Sequence, residues 1–283
     1  MAILLDCHQV IIASLQKQVS ATKIKVLDED LCRHLILNAI REVVFKFKRD
    51  YGRVIICCDS KSYWRKEVFP FYKASRKKLK EQSYLDFDLI YKILDEVKAD
   101  MRDLFPYLVL EINRAEADDI IGVLAPRLAA HEPVIIVSAD GDFKQLHQYK
   151  NIKQYNPGLR IFVTSPNPIL ELKEKIITGD RGDSIPSCIS PDNVFVLGIR
   201  QKSLTAKLKS SLMDLDFDNL PDNDTSRYIA RNTKLIDLSQ IPKDIKNIIV
   251  EESEKEQSGS NNTMMKYFIK KKLGNLLECI GDF

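Results

Sequence analysis

An α/β fold, with a central, mostly parallel sheet flanked by helices, is predicted by two features of the chain. Short apolar runs recur at residues 2–6, 53–59, 107–112 and 133–139, the last rich in Val and Ile. Between them, apolar residues fall at helical spacing. Strands alternating with helical patterns imply a parallel, doubly wound sheet. A third feature marks the strand ends. Asp6 closes AILLD, Asp59 closes RVIICCD and Asp140 closes PVIIVSAD. Ligands bind at the carboxyl edge of such a sheet.

The elements follow in order. Residues 2–6 open on four apolar residues in a row, as a buried strand does. Residues 31–48 place Leu35, Ile40, Val44 and Phe47 on one helical face. Residues 53–59 give the next strand. Residues 62–72 are aromatic and basic and have no clear period. Residues 73–105 read as mostly helical, first basic and then amphipathic through Leu85, Leu89, Ile93 and Val97. A strand at 107–112 precedes a helix at 115–130, and a strand at 133–139 precedes a helix that starts at 143–149. Beyond about 165 the strand signal fades, with helices expected at 169–178, 202–213, 224–236 and 263–280. The polar stretch 251–262 is expected to be a mobile loop or linker.

Bulk properties narrow the class. A chain of 283 residues, 45% hydrophobic and 29% charged, is ordinary for a globular protein with a sizeable core. No run of apolar residues is long enough for a membrane helix. The segment MAILLDCHQV lacks the basic flank of a secretory signal. The six cysteines show no zinc-ligand spacing, and Cys57 and Cys58 fall inside a strand as small hydrophobes. A reducing compartment without disulfides is expected. The net charge of +3 is modest, but its distribution is uneven. Lys73, Arg76, Lys77, Lys78 and Lys80 form a basic run that reads either as a solvated helix face or as a track for a polyanion.

The acids carry the chemical argument. Glu116, Asp118 and Asp119 open a helix, where the macrodipole favours one or two carboxylates. Three within four residues exceed what capping needs, and Glu116 and Asp119 on one face repel unless a cation lies between them. Asp140 and Asp142 straddle a glycine. Asp180 and Asp183 follow in a turn-rich loop at 179–186. Each piece alone reads equally as a turn or a cap. Their coincidence at every central strand end points to oxygen-ligated Mg²⁺ or Mn²⁺ and to two-metal phosphodiester hydrolysis.

Tyr63, Trp64, Arg65, Phe69, Phe71, Tyr72 and Lys73 interleave rings with cations, as single-strand binders do. The same residues read equally as an apolar loop over the sheet. His8, His34, His131 and His147 share no spacing and are not expected as ligands. No Gly-rich phosphate loop or Ser-His-Asp arrangement is evident.

The segments LLDCHQV, RHLILNAI, CCDSKSYWR, FYK, EADDIIGVL, VSADGDFKQLH and GDRGDSIP occur in this order from residue 4 to about 186. In these motifs the chain resembles the flap endonuclease / 5′→3′ exonuclease family, and within it the bacteriophage RNase H branch. The resemblance implies a PIN-like 5′ nuclease core over 1–186, with a helical arch at about 73–105, and a helical DNA-binding region over 187–283. It implies a Mg²⁺-dependent enzyme, with two ions for which Mn²⁺ can substitute, that removes RNA primers and 5′ flaps in the host cytoplasm. Asp6, Asp59, Asp118 and Asp140 would surround the first ion, and Glu116, Asp119, Asp142, Asp180 and Asp183 would serve the second. Arg65 and Lys73 match basic residues near the scissile phosphate, and Tyr72 matches a position that stacks on the terminal base. Tyr63, Trp64, Arg76, Lys77, Lys78, Lys80, Lys202 and Lys207 would contact RNA–DNA hybrid or nicked and 5′-flapped duplex.

One departure stands out. The family's Gly-Ile-Gly hairpin is reduced here to Leu197-Gly198-Ile199-Arg200, which weakens close approach to phosphate and argues against a potassium site. Lys202, Lys207 and Lys209 could supply nonspecific contacts. A single-strand binding protein or sliding clamp is the expected partner, with 280–283 as either a docking tail or a packed helix end. A haloacid-dehalogenase-like phosphatase is the main alternative. It needs a second acid two residues after the nucleophile, where this chain has His8. A non-catalytic DNA-junction binder would gain nothing from carboxylates that face phosphates. A PIN-type ribonuclease would lack the long basic segment and the helical C-terminal region.

Overall fold

The computed structural model describes residues 1–22, 28–76, 86–217 and 219–283. One sheet runs in the order β3-β2-β1-β4-β5-β6. Its strands are β1 (Ala2–Asp6), β2 (Arg53–Cys58), β3 (Leu108–Glu111), β4 (Val134–Val137), β5 (Ile152–Asn156) and β6 (Ile161–Val163). All neighbours pair in parallel except β5 and β6. The chain builds outward from β1 to β3, then returns to add β4 on the other side of β1. The crevice at the carboxyl ends of β1 and β4 is thus the switch point where open α/β sheets bind ligands. Asp6 ends β1, Asp59 follows β2 and Asp140 follows β4.

Both faces of the sheet are covered, and the two-residue period assigns side chains to each. Ile3, Leu5, Ile56, Cys58, Ile135 and Val137 point into one core. Leu4, Ile55, Cys57, Val134 and Ile136 point into the other. The first core lies under α1 (Cys7–Thr22), α2 (Glu29–Tyr51) and α4 (Phe87–Leu104). Asp28 and Asp86 cap the last two, each accepting from a backbone N–H three residues on. The second core lies under α5 (Ala117–Ala129) and α9 (Lys243–Ser253). A third cluster joins Phe69 and Tyr72 to α6 (Pro168–Thr178), α7 (Ala206–Met213) and α8 (Asp224–Ile236).

Several expectations change. α1 was not legible because it starts directly after β1, and its Val10-Ile11-Ile12 run is itself strand-like. A short helix, α3 (Trp64–Val68), lies in the aromatic stretch. Residues 141–148 wind as a 3₁₀ helix. β5 and β6 lack long apolar runs because they form an edge hairpin, and β6 keeps Ile161 and Phe162 exposed. The arch expected over 73–105 does not extend through α4. That helix buries Ile90, Ile93, Leu94, Val97 and Met101 in the first core. Residues 77–85 lie outside the described residues.

The C-terminal helices are part of the core on both faces. α9 covers part of the supposed linker 251–262, and the remainder is tied down. Ser258 Oγ donates to Arg102 O at 2.9 Å, and a Cβ at Gly259 would stand 2.2 Å from Phe105 O. α10 (Asn261–Lys270) and α11 (Gly274–Glu278) replace the single helix expected at 263–280. The break falls at Lys272, whose φ is 55°. The residues 280–283 are a packed end, not a free docking tail. The Phe283 ring lies 5.1 Å from Phe268 and 6.2 Å from Phe105, and Asp282 pairs with Arg41.

Phe283→Ala should therefore destabilise the protein by about 3–5 kcal/mol, the usual cost of removing a buried aromatic ring. Urea unfolding measures this. A cost under about 1 kcal/mol would mean the ring is not part of the core.

Candidate active site

Asp6, Asp59, Asp118 and Asp140 line one cleft of about 640 Å³, with Tyr63, Lys73 and Arg76 on its wall. Three strand ends and the first turn of α5 bring these acids together. Protein donors orient each strand-end acid, and Asp6 also accepts from Gln9 N through Oδ1 at 3.2 Å. Ser138 Oγ donates to Asp6 Oδ2 at 2.8 Å, Ala117 N to Asp59 Oδ1 at 2.7 Å, and Asp142 N to Asp140 Oδ1 at 2.9 Å. Burial, with Asp59 adding repulsion, pushes Asp6 up to about 7. Burial and then Asp140 and Asp6 push Asp118 well above the usual carboxylate range. Among the described residues, no three Asp, Glu, His or Cys side chains already form a metal cage. The all-oxygen donor set and the mutual repulsion nevertheless fit a hard divalent cation.

A buried layer lies behind the cleft. Glu116 and Asp119 form a capping box on α5, and both are fully buried. Glu116 N donates to Asp119 Oδ2 at 2.8 Å, and Trp64 Nε1 donates to the same oxygen at 3.1 Å. Arg65 Nη1 donates to Glu116 Oε2 at 2.9 Å. It stands 2.8 Å from Asp119 Oδ1, though out of hydrogen-bond alignment. Tyr72 hydroxyl donates to Glu116 at 2.9 Å, and Lys73 Nζ pairs with the other Glu116 oxygen.

This layer corrects five expectations. Glu116 accepts from Arg65, Tyr72 and Lys73, and Asp119 is held through Oδ2 with Oδ1 against Arg65, so both acids lie buried behind the cleft and do not line it. Arg65, only 3% exposed, holds those acids and does not face a phosphate. Tyr72 and Trp64 are buried, so neither ring face is free to stack on a base. Helix phase separates Asp118, which faces the cleft, from its neighbours on either side.

The remaining acids have cations of their own. Lys175, on the last turn of α6, pairs with Asp142 and lies 2.8 Å from Asp180 Oδ2. Burial pushes Asp142 up to about 7 although Lys175 pulls it down. Asp183 Oδ2 lies 3.0 Å from the Tyr72 hydroxyl, whose single proton it shares with Glu116, and Asp183 pairs with Arg76. Burial penalises its charge, but Lys73 and Arg76 outweigh that and hold its carboxyl below the usual range. Lys73 adopts φ 57°, which a lysine rarely does, and its N–H donates to Asp183 O at 2.8 Å. This backbone turn aims its ammonium group between Glu116 and the cleft.

Sequence reasoning missed Ser138, Lys175 and His8. Lys175 stands five residues before Asp180, the one local clue. Ser138 directly follows a buried strand, and its hydroxyl faces Asp6. His8 lines the cleft, where its Nδ1 accepts from Asp59 N at 3.3 Å. Burial lowers its pKa, so the ring is neutral although Asp59 Oδ2 is 3.6 Å away.

Of the nucleic-acid contacts expected, Tyr63 lines the cleft with Lys73 Nζ 5.4 Å from its ring centre, and Arg76 is half exposed. Lys202 and Lys207 are exposed. Lys77, Lys78 and Lys80 lie outside the described residues. The hairpin residues Leu197 and Ile199 are exposed around Gly198, whose φ is 67°.

A pocket of carboxylates repels phosphate, whereas Lys73 and Arg76 on its wall attract it. Hydrolytic nucleases resolve that conflict with divalent cations. The class is therefore a phosphodiester hydrolase. Comparisons with known proteins narrow it. A family model described as 5′-3′ exonuclease, N-terminal resolvase-like domain, matches residues 31–181. One described as T4 RNase H, C terminal, matches residues 166–283. The chain is 32% identical over 271 residues to the ribonuclease H of Enterobacteria phage T4, covering 89% of this chain and 87% of that protein. It is 33% identical over 161 residues to a 5′-3′ exonuclease of Buchnera aphidicola, covering 53% of each. A T5 5′-exonuclease structure with bound zinc aligns with TM-score 0.61 at 16% identity, over 90% of this chain and 99% of that one. The chain belongs to the 5′-3′ exonuclease family.

The raised Asp6 carboxyl has a consequence for stability. A folded-state pKa of about 7 lies above the unfolded value. Its contribution is complete below about pH 4 and is lost as pH rises through 7. In chelator, the Tm of the wild type should fall relative to Asp6→Asn by several degrees between about pH 5 and 8. Parallel Tm curves for the two proteins would refute the raised pKa.

Proposed function

We propose that this enzyme removes RNA primers and 5′ flaps from lagging-strand fragments by hydrolysis that needs Mg²⁺, for which Mn²⁺ can substitute. The convergence of Asp6, Asp59, Asp118 and Asp140 on one cleft beside Lys73 and Arg76 carries the reading. Those four acids would hold one ion, and Asp142, Asp180 and Asp183 would serve a second. Bound there, the ions supply water activation and neutralise charge on the phosphate and leaving oxygen. The chain's own groups do the rest. Ser138 and Ala117 N orient Asp6 and Asp59. Lys73, held by Glu116, and Arg76 would draw the scissile phosphate to the cleft and stabilise its developing charge. Tyr63 offers a ring at the wall for an unpaired base. Lys202 and Lys207 would touch duplex phosphates from outside the cleft.

The exposed but glycine-poor hairpin at 197–202 supports weak intrinsic hold on duplex. A single-strand binding protein or sliding clamp would then supply processivity, in the host cytoplasm.

The test is cleavage of a 5′-labelled series: nicked RNA–DNA hybrid, nicked duplex, 5′ flap and single strand. Short 5′ products should appear with Mg²⁺ and vanish in EDTA. Asp140→Asn should lower turnover by more than the roughly 100-fold that loss of an outer-shell metal partner costs, while DNA binding is kept or strengthened. Unchanged turnover would end the metal assignment. No product from any substrate would move the reading to a phosphatase.

Lys73→Ala should cut kcat more than it raises KM, because its charge acts on the phosphate in the transition state. A change confined to KM would place Lys73 on the substrate path instead.

A further inference from the structure

A second concavity lies across α1 from the acidic cleft. His8, Gln9 and Ile12 line the cleft, whereas Val10, Ala13, Ser14 and Lys17 line a separate groove of about 530 Å³. Positions 10, 13, 14 and 17 recur every three or four residues and form one stripe of helix surface. α2 supplies the facing wall through Ala39, Val43 and Phe45, and the turn between β5 and β6 closes one end. The groove and the cleft share no lining residue.

The groove is apolar below and cationic at its rim. Val10, Ala39 and Val43 are buried, while the Phe45 ring is 67% exposed. The apolar surface continues past the groove onto the hairpin. Leu159 is 69% exposed and Phe162 is 53% exposed, with the Phe162 ring edge-on to Tyr155 at 5.5 Å. Singly exposed apolar residues are ordinary, but a contiguous patch marks an interaction site. Of the charged residues lining the groove, Lys17, Arg41, Lys46 and Arg160 are cationic and only Glu42 is anionic. Arg41 pairs with Asp282, and Lys46 donates to Tyr155 hydroxyl at 2.7 Å. Lys17 and Arg160 make no ion pair among the described residues.

We propose that this groove docks an acidic peptide segment of another protein, with apolar side chains seated between α1 and α2 and carboxylates on Lys17 and Arg160. The floor favours a peptide over a nucleic acid. Its lining there is aliphatic, from Val10, Ala13, Ala39 and Val43, and of the groove's two rings Tyr155 is buried and Phe45 alone is exposed, whereas single-strand binders stack successive bases on several ring faces. An apolar anchor in a pocket with charges around it is the usual form of a peptide site. The proposal uses no residue of the acidic cleft.

The test is fluorescence anisotropy on the full chain with a labelled peptide of about 12 residues, a typical recognition length, that spaces Phe and Leu between Asp residues. Three controls accompany it: the peptide with Asn for Asp, the peptide with Ser for Phe and Leu, and an oligothymidylate. The first peptide should bind saturably, and both control peptides at least about tenfold more weakly. Lys17→Glu and Phe45→Ser should each weaken binding about tenfold, with Tm and peptide-free nuclease rate unchanged. Absence of saturable binding up to millimolar peptide would overturn the proposal. So would equal binding by both variants. Oligothymidylate binding that is lost in Lys17→Glu would assign the face to nucleic acid instead.

Discussion

The buried ion cluster of Arg65, Glu116, Asp119 and Lys73 is the constraint on which the acidic edge depends. Two carboxylates without exposure could not remain charged there unless cations reached both. Arg65 comes from α3, Lys73 from the segment after it, and the acids from α5. The cluster therefore fixes the loop after β2 against the helix after β3. Arg65 Nε also donates to Leu235 O at 2.8 Å, which ties α8 into the same network. Removing one partner of such a cluster typically costs about 3–5 kcal/mol, because the other charge stays buried and unpaired. With that frame in place, Asp118 faces outward beside Asp6, Asp59 and Asp140.

Charge at the edge is graded from inside to outside. The inner acids are neutralised by Arg65 and Lys73. Asp142 and Asp180 share Lys175, and Asp183 has Arg76. The four acids of the cleft lack such cations among the described ion pairs, and burial together with repulsion from neighbouring carboxylates drives Asp6 and Asp118 toward protonation. Carboxylates left in mutual repulsion at a strand-end cleft, with shifted pKa values, are the pattern that functional sites share.

The sheet can hold this arrangement because both faces are closed by distant parts of the chain. Phe268 and Phe283 pack beneath α4, and Ile245 and Ile249 pack against α5. The C-terminal helices thus support the two elements, α4 and α5, that border the acidic edge. A separately folded helical region could not transmit support in this way.

The sequence by itself determined the four central strands, their parallel sense and the edge where their acids gather, but not the β5–β6 hairpin. Strand runs and their terminal acids are local signals, and a parallel sheet places all such ends together. Asp6, Asp59, Asp118 and Asp140 were legible for that reason. Tertiary structure alone decided which acids face solvent. Glu116, Asp118 and Asp119 are equivalent as letters at a helix start, and only packing against Trp64, Arg65 and Tyr72 turns two of them inward. The same packing converts Arg65 and Tyr72 from expected substrate contacts into buried supports. Lys175 and Ser138 escaped notice because their partners come from other strands and loops, and His8 was set aside because the four histidines share no spacing. A carboxylate's role depends on the charges that reach it, and those charges arrive through the fold.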